Sequence, residues 1–215
     1  MKRRTLDILF SIGGVAIAAL LLAAGIVLSA NASFATTYVA DQLAQQHITF
    51  KTADTLTEEE KQAPCLVEYA GQALTTGKQA ECYANNFIGL HLKSTAGGKT
   101  YADLGVPQAE LRTQIAAAQK AGETAKVTDL QKQLADVTAQ RETVFKGETL
   151  RGLLLTTYGF SEFGTKAGQA ATVAYLAAAL MFLMALAGFV HAFLTPKTVP
   201  FAAVEPQVRP TPVAA

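Results

Sequence analysis

The sequence predicts an all-α membrane protein, with two transmembrane helices flanking a helical extracytoplasmic domain. Two long uncharged runs and one pattern between them predict it. Ile8 to Ala30 is a run of 23 residues with no ionisable side chain, and Ala170 to Leu194 is a run of 25 in which only His191 charges near neutral pH. Between the runs, apolar residues recur three and four apart, the spacing of one helical face. Charged residues are 16% of the 215, against about 25% in an ordinary soluble domain, and the deficit lies in the two runs.

The first run would make about 34 Å of helix at 1.5 Å per residue, enough for a hydrocarbon core of about 30 Å. Lys2, Arg3 and Arg4 precede it, and Lys197 follows the second run. Positive flanks stay inside, so both termini are expected in the cytoplasm of a bacterial plasma membrane. The layout is then a cytoplasmic 1–7, a first span over 8–30, an extracytoplasmic domain over 31–168, a second span over 169–194 and a cytoplasmic Pro-rich tail over 195–215. The domain holds 13 basic and 15 acidic residues, so no basic excess opposes its export. A cleaved signal peptide is the alternative for the first run, with Ala30-Asn31-Ala32 as its cleavage site. The run is longer than the 7–15 residues of a signal-peptide core, which favours an uncleaved anchor.

Small residues at four-residue spacing, Gly14/Ala18, Ala19/Ala23 and Ala170/Ala174/Ala178, let helices approach closely. They fit either packing of the two spans on each other or a helix partner in a larger assembly.

Past the first span, Ser33 to Gln46 reads as an outward extension of the same helix, and Ile48 to Phe50 as a short extended piece. Thr57 with Glu60 three residues on is a capping box, and Pro64 interrupts or restarts that helix. Leu66, Tyr69, Ala70, Ala73 and Leu74 fall on one helical face, with Gly77 as the expected C-terminal stop. Ala80, Ala84, Phe87 and His91 make the next stripe, beside Ile88, and Gly97-Gly98 ends it. The chain turns near Tyr101, and Pro107 starts another helix.

Leu111, Ile115 and Ala118 form one coiled-coil-like run, and Val127, Leu130, Leu134 and Val137 another. The two are out of phase across Ala121-Gly122-Glu123, which predicts a helical hairpin. Val144 to Phe163 is apolar and aromatic and reads as a joint above the second span, with Phe145, Gly147, Glu148, Leu150 and Arg151 at its centre. Core burial is the default for its large side chains; docking at the membrane interface is the alternative. The tail from Pro196 holds five of the seven prolines and is expected to be extended.

Cys65 and Cys82, 17 residues apart, pair readily outside a reducing cytoplasm. A structural disulfide is expected; free thiols or a redox pair without Cys-x-x-Cys spacing are the alternatives. Gly98-Lys99-Thr100 imitates the end of a phosphate-binding loop, but Lys93 stands where the pattern needs its first glycine, so no nucleotide is expected. An iron site needs three converging ligands, and the middle region offers only His47 and His91 as histidines. No metal, cofactor or catalytic residue is therefore predicted, and no Gly-x-Ser-x-Gly elbow exists. A net charge of +1 excludes a strongly basic nucleic-acid binder. His191, near the end of the second span, is either a polar contact within the membrane or a side chain reaching the interface. Arg151, beside three leucines, needs an acidic partner or a lipid phosphate, and Glu148 is the local candidate.

The segments QLAQQHITF (42–50), GQALTTGKQAECYANNFIGLHL (71–92), KTYAD (99–103) and FKGETLRGLLL (145–155) resemble a set of actinobacterial membrane proteins, many described as aromatic ring-opening dioxygenases. The resemblance implies two spans and an outer domain, and it names no catalytic residue. The expected function is that of a non-enzymatic membrane protein, an accessory or interaction component of the cell envelope or of a membrane complex. Its partners would be the lipid bilayer and another membrane protein or envelope component. A sensor acting through a partner, or an enzyme, are the alternatives.

Overall fold

The computed structural model describes residues 2–197; the expected Pro-rich tail lies beyond them except for its first three residues. The described regular elements are helical, with Thr49 and Ala73 joined in an isolated antiparallel β-bridge. In chain order they form α1 (Arg3–Ala44), α2 (Glu58–Lys61), α3 (Pro64–Glu68), α4 (Gly77–Cys82), a π-helical stretch (Tyr83–Ile88), α5 (Gly89–Ala96), α6 (Gly105–Lys120) and α7 (Thr124–Leu194). The 42-residue α1 and the 71-residue α7 are each long and apolar enough to cross a membrane. Contacts divide the chain into two units: Met1–Asn31 with Ala167–Ala215, and Ala32–Lys166.

In the first unit α1 and α7 run antiparallel, because Gly14 meets Ala185 while Gly25 meets Tyr175. The contact is a seam of small residues. Ser11, Ala18, Ala171, Ala174, Ala178, Ala185 and Ala192 are buried in it. Ala171, Ala178, Ala185 and Ala192 recur every seven residues, the repeat that keeps one seam of a helix against its partner. A Cβ on Gly14 would lie 3.2 Å from that of Ala185, and one on Gly25 would lie 2.7 Å from the Tyr175 ring, so the helices approach at the glycines. The two runs therefore pack on each other. Ala170, Ala19 and Ala23 face away from the seam, which moves the expected face of the second run by one residue. Large apolar side chains point outward: Phe10 is 75% exposed, Leu20 71%, Leu176 68% and Phe193 70%.

The second unit has a main core of Val39, Leu43, Phe50, Leu56, Leu66, Leu74, Ala80, Cys82, Ala84, Ile88 and Leu154. The capping box forms at α2, with the Thr57 hydroxyl accepting from Glu60 N–H and the Glu60 carboxylate from Thr57 N–H. Pro64 opens α3. The expected helical face from Leu66 to Leu74 does not form as one helix. The first of these helices ends at Glu68, and Gly71 takes the left-handed conformation (φ +73°). The chain then pairs with the extended piece, through Phe50 N–H to the Gln72 carbonyl and Leu74 N–H to the Ile48 carbonyl, both 2.9 Å. Leu66 and Leu74 are both buried, one on a helix and the other on an extended segment.

Gly77 likewise starts a helix instead of ending one. Thr76 caps α4, and the Gln79 side chain returns to the Thr76 backbone in a second capping box. A Cβ at Gly77 would collide with Ser161 and lie 3.5 Å from the Tyr158 Cα, so this glycine serves a close approach to α7. Of the next stripe, Ala80, Ala84 and Ile88 are buried, whereas Phe87 is half-buried and His91 exposed.

The hairpin of α6 and α7 turns at Gly122 (φ +74°) and buries Leu111, Ile115, Ala118 and Leu130 against Val127, Leu134 and Val137. Gln108 ties its open end, donating to Thr138 at 2.8 Å and accepting from Arg141 at 2.7 Å. Residues 124–194 contain no proline and form a single helix. A helix buries one stripe only, so Val144 and Leu154 are buried while Phe145, Leu150, Leu153, Phe160 and Phe163 are exposed. Core burial thus fails for most of this segment.

Candidate functional site

The expected disulfide is present between Cys65 and Cys82, whose Cα atoms are 6.1 Å apart. It joins the start of α3 to the end of α4, two helices of 5 and 6 residues that are too short to be stable alone. Asn86, on the π-helical stretch, donates to the Cys65 sulfur at 3.2 Å.

Next to this stapled region lies a cleft of about 500 Å³, bounded by the π-helical stretch, α5, the loop after it and α7. Arg151 and Glu148 both line it. The Arg151 Nη1 donates to the Glu148 carboxylate at 3.2 Å, the i, i+3 pair expected from sequence. Its Nη2 donates to the Asn85 side-chain oxygen, also at 3.2 Å, a partner sequence spacing did not identify. The Arg151 Nε is buried without any hydrogen-bond partner. Lys93, Lys99 and Thr100 complete the polar lining. The Thr100 hydroxyl and N–H both donate to Asp103. These two bonds, the backbone one foremost, hold the Asp103 carboxyl below its ordinary range.

A second polar cluster surrounds Glu60, one of the largest fully buried side chains. Lys51 pairs with it at 2.7 Å, and the His91 Nε2 lies 3.7 Å away. Burial opposes ionisation of Glu60, but the hydrogen bonds from Lys51 and the Thr57 backbone, with the Lys51 charge, hold its pKa below the ordinary 4.5. His91 also places its Nδ1 2.7 Å from the Phe87 carbonyl. His47 follows α1 with φ +51° and has a terminating role there.

In the first unit, His191 meets Asp7 at 3.0 Å. The sequence singled out the histidine but not its partner, which lies 184 residues away. Ser29 and the Tyr175 hydroxyl share a hydrogen bond of 3.1 Å in the same unit. Among the described residues, no three His, Cys, Asp or Glu side chains group as a metal-binding set.

Of the predicted interaction residues, Arg151 and Glu148 share the cleft in the second unit, while His191 belongs to the first. Cys65 and Cys82 stand beside the cleft as a staple. Asn85, Lys93 and Lys99 were not singled out as functional. The one signal in the sequence is the grouping of Lys93 and Lys99 around Gly97-Gly98. No protein-family model, curated protein or solved structure matches the chain.

Proposed function

We propose that this chain is a two-span integral membrane protein whose helical middle region is an extracytoplasmic interaction module, an accessory component of the cell envelope or of a membrane complex, with no catalytic role. The reading is carried by the first unit's arrangement of small residues inward and large ones outward. Each large aliphatic or aromatic side chain left in water forgoes about 1.5–3 kcal/mol of burial. A helix pair that exposes Phe10, Leu20, Leu176, Leu183 and Phe193 is suited to lipid, where such side chains have an apolar solvent and close packing of small residues holds the helices together.

Sidedness rests on two further supports. Basic residues flank the first run at its N-terminal end, which favours that end inside. The Cys65–Cys82 bond suits an oxidising compartment, which favours the middle region outside. The exposed Phe145, Leu153, Phe160 and Phe163 supply apolar surface for a neighbouring chain or the membrane interface.

Two measurements test the proposal. In intact spheroplasts, an impermeant protease should cleave within 31–168 and leave both termini protected; cleavage of the termini alone overturns the topology. A photo-crosslinking residue placed at Phe145 or Phe163 should give a discrete protein adduct in native membranes, and one at Lys120 should not. Absence of any adduct from the aromatic positions overturns the accessory role and leaves the topology standing.

A further inference from the structure

The cleft beside Arg151 holds more positive charge than its own residues neutralise. Lys93, Lys99 and Arg151 face a single lining carboxylate, Glu148, so the lining carries a net charge of +2. Glu148 is already engaged by Arg151. Neither lysine forms an ion pair among the described residues. Asp103, whose charge acts on Lys99, lowers this excess to +1, and its carboxylate also accepts from the Thr100 N–H and hydroxyl. Thr100 therefore orders the loop, and both lysine side chains are exposed at the cleft.

The local backbone favours this concentration of charge. Gly97 and Gly98 both have left-handed conformations, with φ of +59° and +78°. They reverse the chain at the end of α5, so that Lys93 and Lys99 line one cleft although six positions apart. Gly89 also lines the cleft, beside the Arg151 Nε. The preceding π-helical stretch presents Asn85 to Arg151, so the guanidinium is held from both sides before any ligand arrives. π-Helical insertions recur at functional sites for this kind of repositioning. A guanidinium held by its neighbours and two exposed ammonium groups suit an oxyanion, and about 500 Å³ accommodates a small organic molecule.

We infer that this cleft binds a phosphate monoester, its negative charge met by the excess of Lys93, Lys99 and Arg151 over Glu148 and Asp103. The inference goes beyond the interaction role above and does not depend on which side of a membrane the cleft faces. The phosphate group belongs either to a soluble metabolite or to a lipid headgroup of the same chemistry.

Both sources are tested on the full chain purified in detergent. Glycerol 1-phosphate is titrated by calorimetry, and short-chain phosphatidic acid is titrated by native mass spectrometry. Saturable binding of one equivalent of either probe is expected, with acetate at least tenfold weaker. The double variant Lys93→Gln/Lys99→Gln should weaken binding at least tenfold. Since these lysines make no ion pair, its fold is retained, and circular dichroism checks this. Lys120→Gln, a surface lysine away from the cleft, should bind as the parent does. Binding of glycerol 1-phosphate assigns a soluble ligand, and binding of phosphatidic acid alone assigns a lipid. Failure of both probes, unchanged affinity in the double variant, or an equal loss in Lys120→Gln overturns the inference.

Discussion

The Glu60 carboxylate, 1% exposed, lies 2.7 Å from the Lys51 ammonium while it also closes the capping box of α2. One buried side chain therefore joins a helix start to the extended segment that carries Phe50. The bond to Lys51 fixes α2 against the β-bridged segment, and the bond to Thr57 satisfies a backbone donor that would otherwise be left unpaired.

This pairing has a pH signature. The folded-state pKa of Glu60 is below its ordinary value of 4.5, so near and below that value the unfolded chain binds more protons than the folded one. The stabilisation is fully present above about pH 4.5 and is lost as pH falls through the lower folded value. Thermal unfolding measured from pH 7 to pH 3 should show the midpoint of the parent falling below pH 4.5. Glu60→Gln should unfold at lower temperature at pH 7 and show a shallower acid dependence. Identical pH profiles would show that Glu60 contributes no linkage.

The disulfide is expected to account for much of the stability of the α3–α4 region. A closed loop of this size removes about 3 kcal/mol of chain entropy from the unfolded state. Cys65→Ala/Cys82→Ala should lose roughly 2–4 kcal/mol in denaturant unfolding, and a reducing agent should lower the parent's midpoint by a similar amount.

The seam between the two long helices is directly testable by crosslinking. The Cβ position of Gly14 lies 3.2 Å from that of Ala185, whereas nothing lies within 4 Å of that of Gly13. In oxidised membranes, Gly14→Cys/Ala185→Cys should yield a covalent link between the peptides carrying positions 14 and 185. Gly13→Cys/Ala185→Cys should not. Peptide mapping by mass spectrometry distinguishes this link from the native Cys65–Cys82 bond.

His47 holds a left-handed backbone (φ +51°), where a side chain costs about 1–2 kcal/mol. Its N–H bonds the Ala44 carbonyl at 3.1 Å, the kind of bond that closes a helix end. His47→Gly should stabilise the chain by about 0.5–1 kcal/mol, the strain relieved less the extra entropy of an unfolded glycine. A higher unfolding midpoint checks this; a lower one would show that the imidazole has an essential contact.

Much of this architecture was legible from local chemistry. The uncharged runs, the capping box at Thr57, the restart at Pro64, the turn at Gly122 and the two stripes of the hairpin all depend on neighbours within a few residues. The Arg151–Glu148 pair belongs to the same class, since an i, i+3 spacing places both on one helical face. Gly77 marks the limit of this reading. Thr76 with Gln79 is itself a capping-box pattern, but the apolar spacing upstream suggested a helix ending there. The competing β-pairing of residues 48–51 with 71–74 has no short-range signature.

Length, composition and periodicity were enough to specify a helical chain with two long apolar runs, a helical hairpin and one cysteine pair, because those properties are set by hydrophobic spacing and backbone propensity. The meeting of Asn85, Lys93 and Lys99 with Arg151, of Asp7 with His191, and of Gly77 with Ser161 required the folded chain. Each contact joins segments far apart in sequence, and its energy is realised only after the intervening helices have packed. Sequence spacing carries the local terms, whereas the convergence of charges in a cleft is a property of packing.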